Sequence, residues 1–154
     1  MSVDDFFSKL NPLLAAILRS PLHWLLSPGL VLLTVTGRRT GRRYSIPVGY
    51  QRDGEVLTIM VSEAPKKSWW RNFRQPGSIE LHLRGRARSG RAELVAPGSD
   101  EFRSAASRTL RRMPWLGRVF GIDYDRHKGL DDDQVKRLGE QIAVVRIALD
   151  AASE

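Results

Sequence analysis

Cysteine is absent from the 154 residues of this chain, and histidine occurs only three times. The first absence excludes disulfide bonds, thiolate metal sites and cysteine nucleophiles. The three histidines, His23, His82 and His127, lack metal-ligand spacing, so the sequence predicts no metal site. Acidic residues are also few, 17 against 25 lysines and arginines, which leaves a formal charge of +8. The composition therefore favours the binding of anions over metal or thiol chemistry.

Long apolar runs are missing as well. No continuous apolar run approaches the roughly 18 residues that suggest a membrane-spanning helix. Near the N-terminus, Asp4 and Asp5 precede the apolar residues, and Pro12, Arg19 and Pro21 interrupt them. This pattern is unlike a secretory signal. We expect a cytoplasmic protein, with a position peripheral to the inner face of the cell membrane as the alternative.

The spacing of apolar residues divides the chain into two parts. Before residue 28 they recur at helical intervals, which predicts an amphipathic helical segment over residues 1–28. We expect this segment to cover the domain that follows, with at most weak contact to a membrane surface, because its early aspartates oppose anionic lipid. Residues 29–150 are predicted to form one domain.

Within this domain, short extended segments are interrupted by helical ones. Antiparallel strands with helices in their connections favour a small barrel. Tight turns are predicted at Gly54 and Gly85, and helices are predicted to begin near Ser99 and Asp131. The strands are expected at about 30–36, 44–51, 55–62, 78–84, 87–95 and 141–149, and the first of these helices at about 99–112.

The most informative segment, Thr36–Pro47, joins two of the predicted strands. Two glycines, Gly37 and Gly41, punctuate it and lie among four arginines. Arginine presents a planar fork to phosphate or carboxylate oxygens, and glycine lets backbone N–H groups approach them closely. The segment is therefore a candidate anion site, with a solvated hairpin turn as the alternative. Its arginines are Arg38, Arg39, Arg42 and Arg43.

A second arginine-rich stretch has a simpler interpretation. The residues just before it alternate between apolar and polar, which places the stretch on a hairpin with its arginines largely on one polar side. No recognised nucleic-acid-binding module accompanies these charges, so we predict no nucleic-acid partner. The arginines are Arg84, Arg86, Arg88 and Arg91.

The segment Ser62–Pro76 contains the run Trp-Trp-Arg-Asn-Phe at residues 69–73. Following Thr36–Gly41 and Pro47 in this order, it resembles the deazaflavin-dependent nitroreductase and quinone reductase family over roughly residues 31–95. The resemblance implies an α+β fold: a mainly antiparallel split β-barrel of the FMN-binding type with flanking helices. It also implies the coenzyme F420, with FMN as the alternative, and hydride transfer to a small electron-poor acceptor such as a quinone, nitroaromatic or enone.

A non-catalytic carrier of a cofactor or a lipophilic ligand on the same fold is the alternative to an enzyme. The resemblance implies roles for several residues in the enzyme. Pro47 would lie against the deazaflavin ring, and Ser62 would lie near the point where hydride leaves it. Ser62 and Tyr124 are the predicted catalytic residues, because either hydroxyl would stabilise negative charge developing on the acceptor. The predicted ligands of the anionic tail are Arg38, Arg39, Arg42, Arg43, Lys66 and Lys67.

Two adjacent tryptophans follow Ser68, which is a candidate N-cap for a short helix. Neighbouring side chains on a helix point about 100° apart, so only one of the two naturally faces a given pocket. The resemblance assigns Trp69 to the pocket wall, which leaves Trp70 for the core. We expect the protein to be a monomer or a homodimer.

The sequence departs from the family pattern at two charged or polar positions. Glu63 stands where many relatives carry a basic residue, and a carboxylate there would repel a phosphate. Tyr44 stands where some relatives carry another arginine, although Arg42 and Arg43 lie beside it. These departures keep FMN open as the alternative cofactor.

Overall fold

A computed structural model describes residues 29–37 and 41–151. The predicted N-terminal segment over residues 1–28 and the predicted site residues Arg38 and Arg39 lie outside the described residues. The described residues form seven strands: β1 Leu30–Thr36, β2 Arg43–Gly49, β3 Gln51–Asp53, β4 Val56–Val61, β5 Gly77–Leu83, β6 Arg86–Leu94 and β7 Ala143–Leu149. They also form the α-helices α1 Asp100–Arg112, α2 Leu116–Val119 and α3 Asp132–Gln141, and the 3-10 helices Ala64–Lys66 and Trp69–Phe73.

The strands make one antiparallel sheet in the order β2-β1-β5-β6-β7-β4-β3. Only Tyr50 separates β2 from β3, yet β2 pairs with β1 at one edge of the sheet and β3 pairs with β4 at the other. One extended segment therefore joins the two edges and curls the sheet into a half-barrel. The predicted mainly antiparallel barrel with flanking helices is confirmed.

Alternation along the strands sorts the side chains into two hydrophobic cores. In β4, Leu57, Ile59 and Val61 are buried and point into the half-barrel, where Trp69 and Phe73 also pack. Helices cover part of the outer face of the sheet with a second core. The outer core contains Phe102, Leu110, Phe120, Val135, Leu138 and Val144.

The start of β7 is buried on both faces because it lies between the two cores, whereas Arg146 is half-buried and Ala148 is exposed further along. Val145 and Ile147 point into the half-barrel, while Val144 packs against the helices. This explains why β7 reads as a nearly continuous apolar run. Burial of apolar surface on both sides makes the strand a central support of the domain.

Both predicted helix starts are confirmed by their capping hydrogen bonds. The Ser99 hydroxyl oxygen accepts from the Phe102 N–H at 3.1 Å at the start of α1. At the start of α3, Asp131 and Gln134 form a reciprocal capping box, with hydrogen bonds of 2.8 and 3.0 Å. Each cap satisfies backbone donors that have no partner within the helix.

Three expectations need correction. The predicted strand 44–51 is divided by the change of partner at Tyr50. The last strand begins at Ala143 because α3 extends to Gln141, whose side-chain amide donates to the Phe120 carbonyl at 2.8 Å. Arg91 lies on the opposite face of β6 from Arg88, because the pairing with β5 is regular and successive residues alternate.

Gly90 on β6 provides a test of the close approach between β6 and β7. An added methyl group would lie 2.6 Å from the Ala148 carbonyl oxygen and 3.0 Å from Ile147 Cγ2. We expect Gly90→Ala to lower the free energy of unfolding by about 1–3 kcal/mol, because paired backbone must move to relieve the contact. Thermal unfolding should show a Tm decrease of about 2–4 °C per kcal/mol.

The matched control is Gly139→Ala in α3. A methyl group there would lie 3.6 Å from Pro97 Cβ, an ordinary contact, and alanine favours a helix over glycine. The Tm of this variant should stay the same or rise. An equal loss of stability in both variants would contradict the proposed backbone clash at Gly90.

Candidate functional site

An opening between β2 and β4 is the central feature of the site. The β3–β4 pairing ends at Gln51 and Thr58. If that register continued for four more residues, Pro47 would lie opposite Ser62. Over this length, however, β2 is paired with β1 and not with β4. The two strands still contact one another. Pro47 of β2 and Ser62, which follows β4, therefore belong to two segments that are not paired with each other in the described structure.

The chemistry of proline accounts for the opening at this position. Pro47 pairs in register with Leu32 of β1 on one side of β2. Proline has no N–H to donate, so in paired strands its nitrogen faces away from the neighbouring strand. The nitrogen of Pro47 thus points away from β1, and it has no hydrogen to donate to a strand on its other side.

The β1–β2 hairpin lies at the same end of the sheet as Ser62. The strands β2 and β4 run in opposite directions, so the start of β2, where the hairpin lies, is at the same end of the sheet as the end of β4. In the hairpin, the Gly37 N–H donates to the Arg42 carbonyl at 2.8 Å, and the Gly41 N–H donates to the Gly37 carbonyl at 3.0 Å. Arg42 is exposed at this turn.

Residues 63–67 follow Ser62 and carry the predicted lysines Lys66 and Lys67. We call this segment the lysine loop. Ser62 is exposed, and Glu63 adopts a left-handed backbone conformation with φ of 50°. That conformation is costly for a residue other than glycine. It turns the chain into the 3-10 helix Ala64–Lys66, and the Lys66 ammonium then lies 3.8 Å from the Glu63 carboxylate. The carboxylate predicted to repel a phosphate thus has a lysine partner beside it.

Trp69, predicted to wall the cofactor pocket, is the more deeply buried of the two tryptophans. Trp69 is only 6% exposed and packs edge-to-face on Phe73, with ring centroids 6.4 Å apart, inside the half-barrel. Trp70 is half-buried, and its indole N–H donates to the Ala64 carbonyl at 2.9 Å. Trp69 packs with Phe73 inside this core. Trp70 packs against the edge of the same core and lies beside the lysine loop.

Arg71 and Arg74 are site residues that the sequence interpretation missed. Their guanidinium carbons lie 5.2 and 5.7 Å from the centroid of the Trp70 ring, within the range of cation–π contacts. The Nε of Arg71 is buried and has no hydrogen-bond partner in the described part of the chain. The spacing of Trp70 and Arg74, four residues apart, was the available signal.

Arg43 is not brought to the lysine loop. Its guanidinium forms an ion pair with Glu80 of β5, reaching across β1, and both side chains are exposed. Arg43 and Glu80 line a groove of about 560 Å³ together with Asn72 and Asp150. This groove lies beside β1 and β5, away from the Pro47–Ser62 opening.

Tyr124 occupies a second groove, of about 1050 Å³, lined also by Pro114 and Gln134. Its hydroxyl is buried and has no hydrogen-bond partner among residues 29–37 and 41–151. Both Tyr124 and Met60 of β4 pack against the outer core. Ser62 lies in the turn after β4 and is not among the residues that line this groove, so the groove does not bring the two predicted catalytic hydroxyls together.

Residues 29–37 and 41–151 contain no group of three or more histidine, aspartate or glutamate side chains placed to hold a metal ion. No helix in this part of the chain is both long and apolar enough to cross a membrane.

The different burial of the two tryptophans leads to a prediction. We expect Trp69→Ala to lower the free energy of unfolding by about 3–5 kcal/mol, because it leaves a cavity in the inner core. Trp70→Phe removes one hydrogen bond to the lysine loop and should cost about 1 kcal/mol. Urea denaturation measures both values, and a larger loss for Trp70→Phe would contradict this assignment.

Comparison with protein families gives one match over most of the chain. A model described as F420H(2)-dependent quinone reductase matches residues 22–114. No curated protein matches the sequence significantly.

Solved structures share the fold at low sequence identity. The F420-H2 dependent reductase FDR-A is 14% identical, with a TM-score of 0.52 over 77% of this chain and 93% of that chain. A protein described as a domain-swapped dimer is 15% identical, with a TM-score of 0.50 over 83% and 99%. An FAD and heme binding protein from Mycobacterium smegmatis is 18% identical, with a TM-score of 0.48 over 86% and 67%. At these identities the first two likenesses concern the split-barrel fold alone.

Proposed function

Because this chain belongs to the F420H(2)-dependent quinone reductase family, we propose that it binds reduced coenzyme F420 and reduces a small electron-poor acceptor. A quinone is the first candidate acceptor, with nitroaromatics and enones as further classes. The family match over residues 22–114 carries the proposal, and Pro47 and Ser62 remain the predicted residues beside the ring and beside the transferred hydride. The lysine loop and the β1–β2 hairpin lie at the same end of the sheet.

The side chains around the opening suit an anionic cofactor tail. Lys66, Lys67 and Arg42 provide cationic donors on two adjacent loops. Arg71 adds a buried Nε–H without a partner in the described residues, and an unpaired buried donor is costly until an acceptor reaches it. Arginine and lysine bind phosphate and carboxylate oxygens through charge-assisted hydrogen bonds. Arg38 and Arg39 remain predicted members of this set.

The remaining residues would serve the transfer itself. When bound, the reduced deazaflavin supplies the hydride. Pro47, half-buried on β2, would offer a rigid apolar surface to the ring, and the exposed Ser62 would offer its hydroxyl near the acceptor. The hydroxyls of Ser62 and Tyr124 would donate hydrogen bonds to an acceptor oxygen as it gains negative charge. Positioning and hydrogen bonding by these groups is the contribution that we assign to the protein.

The ion pair between Lys66 and Glu63 provides a test, because substituting each residue should change the affinity for F420 in the opposite direction. Lys66→Gln should weaken F420 binding by about three- to tenfold, since it removes an exposed charge-assisted contact. Glu63→Gln should strengthen binding by about two- to fivefold, because it removes the carboxylate that competes for Lys66. Fluorescence titration with F420, and in parallel with FMN, measures both effects.

The control for charge is Arg86→Gln on β6. Arg86 lies towards the opposite end of β4 from Ser62, since the nearby Arg88 contacts Glu55 at the start of β4. Its loss should leave the affinity unchanged. Tighter binding of FMN than of F420, or equal affinities for all three variants, would refute this cofactor assignment.

The hydroxyl groups are tested by Ser62→Ala and Tyr124→Phe. We expect each to lower kcat for a menadione-type quinone by about tenfold, with F420 affinity maintained, because a donor to the developing charge is lost. Tyr124→Phe should not reduce the Tm, since it removes no hydrogen bond within the described residues. The assay follows the oxidation of reduced F420. Full activity of a variant would remove that residue from the mechanism, and binding without turnover in the wild type would indicate a carrier.

A further inference from the structure

Two side chains of the second 3-10 helix hold the backbone of the lysine loop. The indole N–H of Trp70 donates to the Ala64 carbonyl at 2.9 Å, and the Arg71 guanidinium donates to the Pro65 carbonyl at 3.5 Å. The two donors are consecutive in the sequence, and so are the two acceptors. Both carbonyls belong to the turn that carries the lysines, so this turn is bonded directly to the helix that follows it.

The Ala64 carbonyl is the point at which the lysine loop is fixed. It also accepts from the Lys67 N–H at 3.0 Å, and the Lys66 N–H donates to the Glu63 carbonyl at 3.0 Å. A single 3-10 turn has poor hydrogen-bond geometry of its own, and the left-handed backbone of Glu63 adds to its cost. The hydrogen bond from Trp70 comes from outside the turn and helps to offset that cost.

Trp70 is itself held in place. Its ring packs at the edge of the inner core, and the guanidinium carbons of Arg71 and Arg74 lie 5.2 and 5.7 Å from the ring centroid. These contacts restrict the ring, so its N–H has a fixed direction. The interior of the same core is occupied by Trp69, which packs on Phe73. The indole N–H of Trp70 thus serves the loop and not the packing of the core.

We propose that Trp70 is a positioning residue, which keeps the lysine loop in the conformation that binds the anionic tail of the cofactor. This rests on the proposed function and deepens it, because it states how the cations of the site are placed. A loop that is ordered before binding loses less conformational entropy when the ligand arrives. Trp70 has no charge, so its substitution leaves the number of cations at the site unchanged. Its effect should therefore be confined to ligands that carry the tail.

The test compares two ligands of the full chain by fluorescence titration: F420, and a deazaflavin with the same ring but no anionic tail. Trp70→Phe keeps an aromatic ring and removes the donor to the Ala64 carbonyl. We expect it to weaken F420 binding by about three- to tenfold, the equivalent of one hydrogen bond. Its affinity for the tail-less deazaflavin should stay within about twofold of wild type, since no contact with the tail is involved.

The matched control is Trp115→Phe, which makes the same change at a tryptophan that is 62% exposed between α1 and α2. It should bind both ligands like wild type. Amide hydrogen exchange adds a readout that needs no ligand. The Lys67 N–H should exchange about fivefold faster in Trp70→Phe, because its acceptor, the Ala64 carbonyl, is held less firmly. In Trp115→Phe this rate should not change.

Two results would overturn the positioning role. One is a Trp70→Phe protein with the F420 affinity and the Lys67 exchange rate of wild type. The other is an equal loss of affinity for both ligands, which would place the effect at the ring or in the fold as a whole. Failure of the wild type to bind F420 would refute the proposed function separately. The exchange rate of Lys67 would then decide alone whether Trp70 holds the loop, with a faster rate supporting it and an unchanged rate refuting it.

Discussion

The change of partner at Tyr50 is the constraint on which the rest of the structure depends. One extended segment must pair with β1 before this residue and with β4 after it, so the sheet curls and its two edges meet. The edges cannot stay paired along their whole length, because Pro47 has no N–H to offer β4. A gap therefore exists where the strands separate, and backbone pairing makes its position definite.

The two cores keep that gap in place. Burial of the start of β7 on both faces ties the inner core of the half-barrel to the helices outside it. Trp69 and Phe73 pack in the inner core. Trp70, with Arg71 and Arg74 on its ring, lies beside the lysine loop. Packing of the inner core and the orientation of cations at the surface are thus consequences of the same short helix.

The cationic side chains of this protein have different roles in different parts of the structure. Some arginines have a structural role, such as Arg146, whose pKa is raised by its hydrogen bonds to Glu101 and Glu93. In the same way, Arg88 is the main cause of the lowered pKa of Glu55, through a hydrogen bond of 2.7 Å. Other cations lie on and beside the short helices after Ser62, where Arg71 and Arg74 stack on Trp70. Part of the positive charge thus joins elements of the fold, and part lies at the candidate site.

Local patterns in the sequence were enough to predict most of the elements. Alternating apolar residues located the strands, and the side chains of Ser99 and Asp131 located two helix starts, because capping and alternation depend on residues close together in the chain. The arginine and tryptophan motifs likewise led to the correct family. The ion pair between Arg43 and Glu80, the separation of β2 from β4 and the burial of Trp69 were decided by tertiary structure alone. Each depends on segments that are distant in sequence and meet only when the sheet has curled, and so no local pattern encodes it.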